Sequence, residues 1–100
     1  MRRASKIDDN QTAIVEALRE AGYKVQSLAA VGNGCPDLLV GVNGRNVLIE
    51  VKDGDKCLSE RLLTPMQKVW HTEWTGTAHV AESVEQAMLI VAHYRKWKAA

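Results

Sequence analysis

Phenylalanine is absent from this chain of 100 residues, and only two cysteines and two prolines are present. Two cysteines, Cys35 and Cys57, cannot build the disulfide framework of a small secreted domain, so a reduced interior is the simpler interpretation. No apolar run approaches the roughly 20 residues that a membrane span needs. The N-terminal sequence Met1-Arg2-Arg3 is not followed by the apolar stretch of a secretory signal. We therefore expect a cytoplasmic protein without a membrane segment.

An excess of charge of one sign is also lacking. Thirteen basic residues stand against twelve acidic ones, for a formal net charge of +1, so any contact with nucleic acid must use local patches. Hydrophobic content of 46% and charged content of 25% are ordinary for a globular protein. A chain of this length indicates one small domain with little stability to spare. We expect residues 1–7, which are basic and polar, to form a mobile arm outside its core.

Apolar periodicity predicts a helix, three strands, a helix, a strand and a final helix. The predicted segments are a helix over 8–21, strands over 23–31, 38–42 and 47–51, a helix from 64 to about 76, a strand over 77–82 and a helix from a capping box at 83–86 through 94. Residues 53–63 are polar and are expected to form an irregular, mobile flap. The first three strands should form an antiparallel meander, and the fourth, reached through a helix, can add in parallel. The fold class is therefore α/β with a mixed sheet and a C-terminal helix.

Asn43-Gly44, between two apolar runs of strand length, is the strongest short-range signal for a type I′ hairpin turn. If these are the two loop residues, Asp37 lies directly opposite Glu50, with the Cβ atoms about 5 Å apart on one face. A four-residue loop would instead place Asp37 opposite Lys52. Alternation along the second strand puts Lys52 on the same face in either case.

Two carboxylates at this separation repel, and both stay ionised only if positive charge lies between them. Hard oxygen ligands without Cys or His suit Mg²⁺ or Mn²⁺. Lys52 would then hold or deprotonate an attacking water, or offset charge that develops on a phosphate. The alternative interpretation is a half-buried hairpin with a surface salt bridge. A zinc-binding interaction protein is a third possibility, but its candidate ligands lack the usual close spacing; they are Cys35, Cys57, His71, His79 and His93.

Pro36-Asp37, followed by Glu50-Val51-Lys52 on the next strand, resembles the signature of the PD-(D/E)XK nuclease superfamily. The wider series resembles the VRR-NUC branch, particularly its stand-alone phage-type members; it consists of Gly34-Cys35-Pro36-Asp37-Leu38-Leu39, Ile49-Glu50-Val51-Lys52 and Leu63-Thr64-Pro65-Met66-Gln67. This resemblance covers most of the chain, from Asp8 to the last helix. It implies a restriction-endonuclease-like αβββαβ core and an Mg²⁺-dependent endonuclease acting on branched DNA. It also suggests the cytoplasm of a bacterium or of a phage-infected host.

The resemblance also implies roles for individual residues. Asp37, Glu50 and the backbone carbonyl of Val51 would bind Mg²⁺, for which Mn²⁺ is expected to substitute. Lys52 and Gln67 would position the water that attacks phosphorus.

On the first helix, Gln11 stands where the VRR-NUC pattern carries a glutamine, and Asp8, one turn earlier on the same face, could supply negative charge. Possible DNA contacts are Lys56, Arg61, Lys68 and Arg45.

Trp70 and Trp74, four residues apart, form an apolar stripe that indicates either core or an interface. A symmetric homodimer would present two sites to the twofold symmetry of a four-way DNA junction, which is the expected substrate. A flap endonuclease and a non-catalytic nucleic-acid-binding module of the same fold are the alternatives.

Overall fold

The computed structural model describes residues 9–97. In chain order these form α1 (Asp9–Glu20), β1 (Lys24–Ser27), β2 (Leu38–Val42), β3 (Arg45–Val51), α2 (Leu58–Arg61), α3 (Pro65–Glu73), β4 (Ala78–Ala81) and α4 (Val84–Arg95). The strands lie side by side in the order β1-β2-β3-β4; the first three are antiparallel, and β4 is parallel to β3. The predicted α/β class with a mixed sheet is thus confirmed. The predicted arm, 1–7, and the candidate site residue Asp8 lie outside the described residues.

The turn between β2 and β3 sets the register of the sheet. Asn43 and Gly44 have φ angles of 52° and 83°, as a type I′ turn requires at both central positions. Val42 pairs with Arg45, and Leu38 pairs with Ile49 at the other end of the ladder. The two-residue loop is confirmed, and the four-residue alternative is wrong.

One face of the sheet packs against α1 and α4. Its buried side chains alternate along β2 and β3, as the period of a strand dictates; they are Leu38, Val40, Val42, Val47, Ile49 and Val51, in contact with Ile14, Leu18, Ala87 and Val91 of the helices. β3 is buried on both faces, because Leu48 and Glu50, which point the other way, are only 7% and 2% exposed. That second face carries the candidate carboxylates.

Two segments differ from the sequence prediction. β1 ends at Ser27, and the predicted strand over 23–31 is too long because the chain turns after Leu28, where the Val31 N–H donates to the Leu28 carbonyl at 2.9 Å. The polar segment 53–63 contains the short helix α2, so the prediction of a wholly irregular segment is wrong. Four residues are too few to show a helical period in the sequence. No helix within residues 9–97 is long and apolar enough to cross a bilayer.

α3 begins with the predicted cap. Thr64 Oγ1 accepts a hydrogen bond from the backbone N–H of Gln67, and Pro65 occupies the first turn. Every side chain of α3 stays at least partly exposed, and the helix ends at Glu73, earlier than predicted. The helix packs closely against the backbone of Gly34, where a Cβ atom would lie 2.5 Å from the Met66 carbonyl oxygen.

We expect Gly34→Ala to destabilise the protein more than Gly32→Ala. Both glycines have positive φ (82° and 74°), so both variants carry the backbone strain of about 1–2 kcal/mol. Only Gly34→Ala adds a clash with α3, because a Cβ at Gly32 meets no atom within 4 Å. Urea unfolding of the two variants measures the difference. Equal midpoints would show that α3 does not depend on this contact.

Candidate functional site

The candidate carboxylates lie at the end of the β2–β3 hairpin opposite to its turn. Asp37 immediately precedes β2, and the pairing of Leu38 with Ile49 carries on to bring Asp37 opposite Glu50. Asp37 Oδ2 accepts a hydrogen bond from the backbone N–H of Val51 at 2.8 Å. This bond across the hairpin orients the Asp37 carboxylate beside β3.

Glu50 is buried, with 2% of its surface exposed. Its Oε2 accepts a hydrogen bond from Gln67 Nε2 at 3.0 Å and lies 3.9 Å from Lys52 Nζ. Its Oε1 is also buried, and no N–H group in the part of the chain that the structure describes donates to it. Burial, followed by repulsion from Asp37 and a hydrogen bond with the Asp37 carboxyl, raises the pKa of Glu50 to about 8, against the weaker lowering effects of Lys52 and Gln67. Without a metal ion, the site therefore holds a carboxyl that keeps its proton at neutral pH, and a divalent cation would displace that proton.

One amide links the lysine to α3. Gln67 Oε1 accepts hydrogen bonds from Lys52 Nζ at 2.8 Å and from the backbone N–H of Thr64 at 2.9 Å. The capping box that starts α3 thus shares an oxygen atom with the candidate catalytic lysine. As a result, the position of α3 determines where the ammonium group of Lys52 lies.

A cavity of about 270 Å³ opens over these groups. Gln11 is 8% exposed and reaches it from the first turn of α1, on the side predicted from the sequence. The full lining is Gln11, Asp37, Glu50, Val51, Lys52, Asp53, Lys56 and Glu60. The structure therefore brings together six residues proposed from the sequence, and Gln67 contacts two of them.

The other proposed DNA contacts lie elsewhere. Arg61 pairs with Glu82 at 3.4 Å, and Lys68 is exposed on α3. Arg45 lies at the turn end of β3, five residues from Glu50, or roughly 17 Å at the rise of a strand. Their contacts with DNA remain predictions.

Sequence reasoning did not identify Asn10 as a site residue. Asn10 Nδ2 donates to the backbone carbonyls of Lys52 and Glu82, and so ties the start of α1 to the ends of two strands. Glu60, from α2, was also not proposed. The two partners of Asn10 lie 42 and 72 positions away from it in the sequence. Contacts over such separations leave no local pattern, so no sequence signal was available for Asn10.

Two further groups near the site are uncharged at neutral pH. Burial, and then the charges of Glu50 and Asp37, raise the pKa of the Cys35 thiol, which disfavours a thiolate. Burial, and then the charge of Lys52, lower the pKa of His71, whose Nε2 is buried and has no hydrogen-bond partner within residues 9–97. A cysteine nucleophile is therefore a poor interpretation of this site.

The donor set can be tested against candidate metals. Within residues 9–97, no group of three or more His, Cys, Asp or Glu side chains is placed to bind a metal ion. Zinc takes three or four protein ligands, whereas Mg²⁺ keeps several waters and needs only one or two carboxylates together with substrate phosphate. Asp37 and Glu50, with an Oε1 to which no described N–H group donates, therefore fit Mg²⁺ or Mn²⁺.

Comparison of the chain with protein-family models, with curated proteins and with solved structures gives no match. What the site does must therefore be inferred from its own geometry.

We expect the metal-free protein to lose stability between about pH 5 and pH 8, and Glu50→Gln to remove much of that loss. Because the pKa of Glu50 is raised from 4.5 to about 8, the folded state keeps a proton that the unfolded state releases. The stabilisation that the Glu50 proton gives the folded state is complete below about pH 4.5 and is lost as the pH rises through about 8. Each pKa unit corresponds to about 1.4 kcal/mol.

Urea unfolding in EDTA at pH 5, 6, 7 and 8 tests this expectation. Glu60→Gln, which changes an exposed carboxylate of the same cavity, is the matched control and should keep the wild-type slope. An identical slope in wild type and Glu50→Gln would contradict the raised pKa.

Proposed function

We propose that the protein is an Mg²⁺-dependent, structure-specific DNA endonuclease that hydrolyses phosphodiester bonds in branched DNA. The observation that carries this proposal is the pair of facing carboxyls, Asp37 and Glu50, with Lys52 fixed beside them by Gln67. Glu50 is buried against the partly exposed Asp37, and the pair is unfavourable when both are charged unless a proton or a cation lies between them, so a purely structural role is a weak explanation.

Asp37 and Glu50 would bind the divalent ion, with the Val51 carbonyl as a third ligand by family resemblance. When bound, the ion supplies Lewis-acid stabilisation of the phosphate and activation of water. Mn²⁺ has similar ligand preferences and should substitute.

Lys52 supplies positive charge where the phosphate develops negative charge during attack. Its Nζ is held by Gln67 Oε1, so the ammonium group is in place before substrate arrives, which makes its electrostatic stabilisation effective. Gln11 lines the same cavity and supplies an uncharged amide that can orient water or substrate. Water attacks phosphorus in line and loses a proton to solvent, the P–O bond to the leaving oxygen breaks, and the leaving oxygen takes up a proton from solvent, so the products are a phosphate monoester and an alcohol.

The order of elements supports the nuclease proposal. A helix, a three-stranded meander, a helical segment and a parallel fourth strand correspond to the αβββαβ core of the PD-(D/E)XK superfamily, apart from the additional α2. In that core, as here, the acidic residues lie at one end of the central hairpin.

We propose further that the working unit is a homodimer that resolves four-way junctions. α2, α3 and the segment between them expose apolar side chains that a monomer would leave in water; they are Leu58, Leu62, Met66, Val69 and Trp74. Trp70 and Trp74 stack on each other with ring centroids 4.7 Å apart, and Trp74 is 46% exposed. Aromatic residues and methionine are enriched at interfaces, and a twofold axis would present two sites to a junction.

We expect cleavage of labelled DNA to require a divalent ion and to be abolished by Asp37→Asn or Glu50→Gln. Each change removes one ligand charge and keeps the shape of the side chain. A panel of single strand, duplex, 5′ flap and four-way junction, with Mg²⁺, Mn²⁺ or EDTA, measures both activity and substrate preference. Glu60→Gln, in the same cavity, should remain active.

Full activity of both variants, or cleavage in excess EDTA, would refute the proposed site. Metal-independent binding of branched DNA without any cutting would favour the non-catalytic module. Preference for the 5′ flap would favour the flap nuclease.

We expect light scattering at micromolar concentration to give the mass of a dimer, and the double variant Met66→Asp/Val69→Asp to give that of a monomer. Both side chains are more than half exposed on α3, so a charge there opposes association but not folding. Leu89→Asp, at an apolar position of α4 that is 71% exposed, is the matched control and should leave the mass unchanged. A wild-type monomer would rule out the dimer.

A further inference from the structure

A second polar surface lies at the turn end of the hairpin, away from the carboxylates. A depression of about 250 Å³ is lined by Arg45, from the start of β3, by His93 and Tyr94, from the last turn of α4, and by Trp97, which follows α4. We call these four residues the turn-end surface. It shares no residue with the carboxylate cavity.

The turn-end surface is built on fixed backbone. Asn43 Nδ2, at the tip of the hairpin, donates hydrogen bonds to the backbone carbonyls of Arg95 and Trp97, which joins the hairpin to the end of α4. Tyr94 Oη lies 2.6 Å from His79 Nε2, which anchors the tyrosine to β4. The surface is therefore assembled from three elements and held before any partner binds.

Three aromatic rings lie next to one another on this surface, tilted relative to each other. The His93 ring lies edge-on to Tyr94, with centroids 4.9 Å apart, and 6.1 Å from the ring of Trp97. Trp97 is 55% exposed, although an indole of this size usually gains free energy from burial. A flat partner could cover this ring without any rearrangement of the backbone.

The charge around these rings is positive. Arg45 lines the depression, and Arg95 and Lys96, at the end of α4 and directly before Trp97 in the chain, are exposed. Within residues 9–97, the ion pairs are Lys52–Glu50 and Arg61–Glu82, so none of these three cations is neutralised by a described carboxylate. The net charge of the chain is only +1, which makes a local group of unpaired cations an informative feature.

We propose that the turn-end surface binds an unpaired DNA strand, with a base stacked on Trp97 and adjacent phosphates bound by Arg45 and Lys96. Exposed aromatic rings interleaved with cations are the general means of holding single strands. A duplex would leave the indole unused, because its bases are already stacked. The inference rests on the proposed function only in taking DNA as the nucleic acid that is bound. It gives the protein a second DNA contact, at Arg45, roughly 17 Å from Glu50 along β3.

The test is an NMR titration of the ¹⁵N-labelled full chain in EDTA with a six-nucleotide thymidine strand, its abasic counterpart and a six-base-pair duplex. We expect the indole N–H of Trp97 to shift, with those of Trp70 and Trp74 unchanged. Trp97→Ala should weaken binding of the thymidine strand about tenfold but hardly affect the abasic strand, because it removes stacking. Arg45→Gln should weaken both strands and lower the salt slope by about 0.7. Leu89→Ala, which removes an apolar side chain that is 71% exposed on α4, is the control and should change the binding of neither strand.

The outcomes separate this inference from the proposed function. Binding of the thymidine strand by the wild-type protein, together with no cleavage of any DNA by the wild-type protein in Mg²⁺ or Mn²⁺, would support this surface and overturn only the nuclease proposal. DNA cleavage without any shift of the Trp97 indole resonance would overturn the inference, as would an equal loss of affinity for the thymidine and abasic strands in Trp97→Ala. Tighter binding of the duplex than of the thymidine strand would also overturn it. The same holds if a hexaglutamate peptide displaces the bound strand as well as the thymidine strand itself does.

Discussion

The buried carboxyl of Glu50 faces that of Asp37, and much of the surrounding structure depends on holding this unfavourable pair together. Three groups partly compensate for it: the Val51 N–H donates to Asp37, the Gln67 amide donates to Glu50, and Lys52 lies 3.9 Å from Glu50. The compensation is incomplete, since no N–H group among the described residues donates to Glu50 Oε1. A folded protein usually satisfies its buried polar groups, so this atom indicates positive charge at the site, a proton in the metal-free protein and, in our proposal, a divalent cation.

α3 connects this site to the surface of the protein. Its first turn supplies Gln67, which contacts both Glu50 and Lys52, and its backbone packs on Gly34, three residues before Asp37. Its exposed side chains include the apolar Met66 and Val69. A second subunit that binds to α3 would therefore contact the helix that positions Lys52. Dimer formation could then affect catalysis through the side-chain amide of Gln67.

The parts of the fold that local interactions control were predictable from the sequence, and the parts that depend on distant contacts were not. Asn43-Gly44 specified the turn, and the turn specified the register that places Asp37 opposite Glu50. The length of β1 was overestimated because pairing with β2 ends it, and apolar pattern alone does not show where a partner strand stops. The role of Asn10 could not be predicted, since its partners lie 42 and 72 residues away. Similarly, the sequence shows that Arg45 carries a positive charge in a hairpin, but it does not show that the end of α4 lies next to this arginine.

The central claim is that Asp37 and Glu50 together bind a divalent cation. Calorimetric titration of Mn²⁺ into the DNA-free protein at pH 7.5 tests it most directly, with Asp37→Asn, Glu50→Gln and Glu60→Gln compared under the same conditions. The account predicts binding to wild type and to Glu60→Gln, and affinity weaker by about tenfold or more in the other two variants, since each lacks one charged ligand. Absence of binding to wild type, or equal affinity in all four proteins, would contradict it.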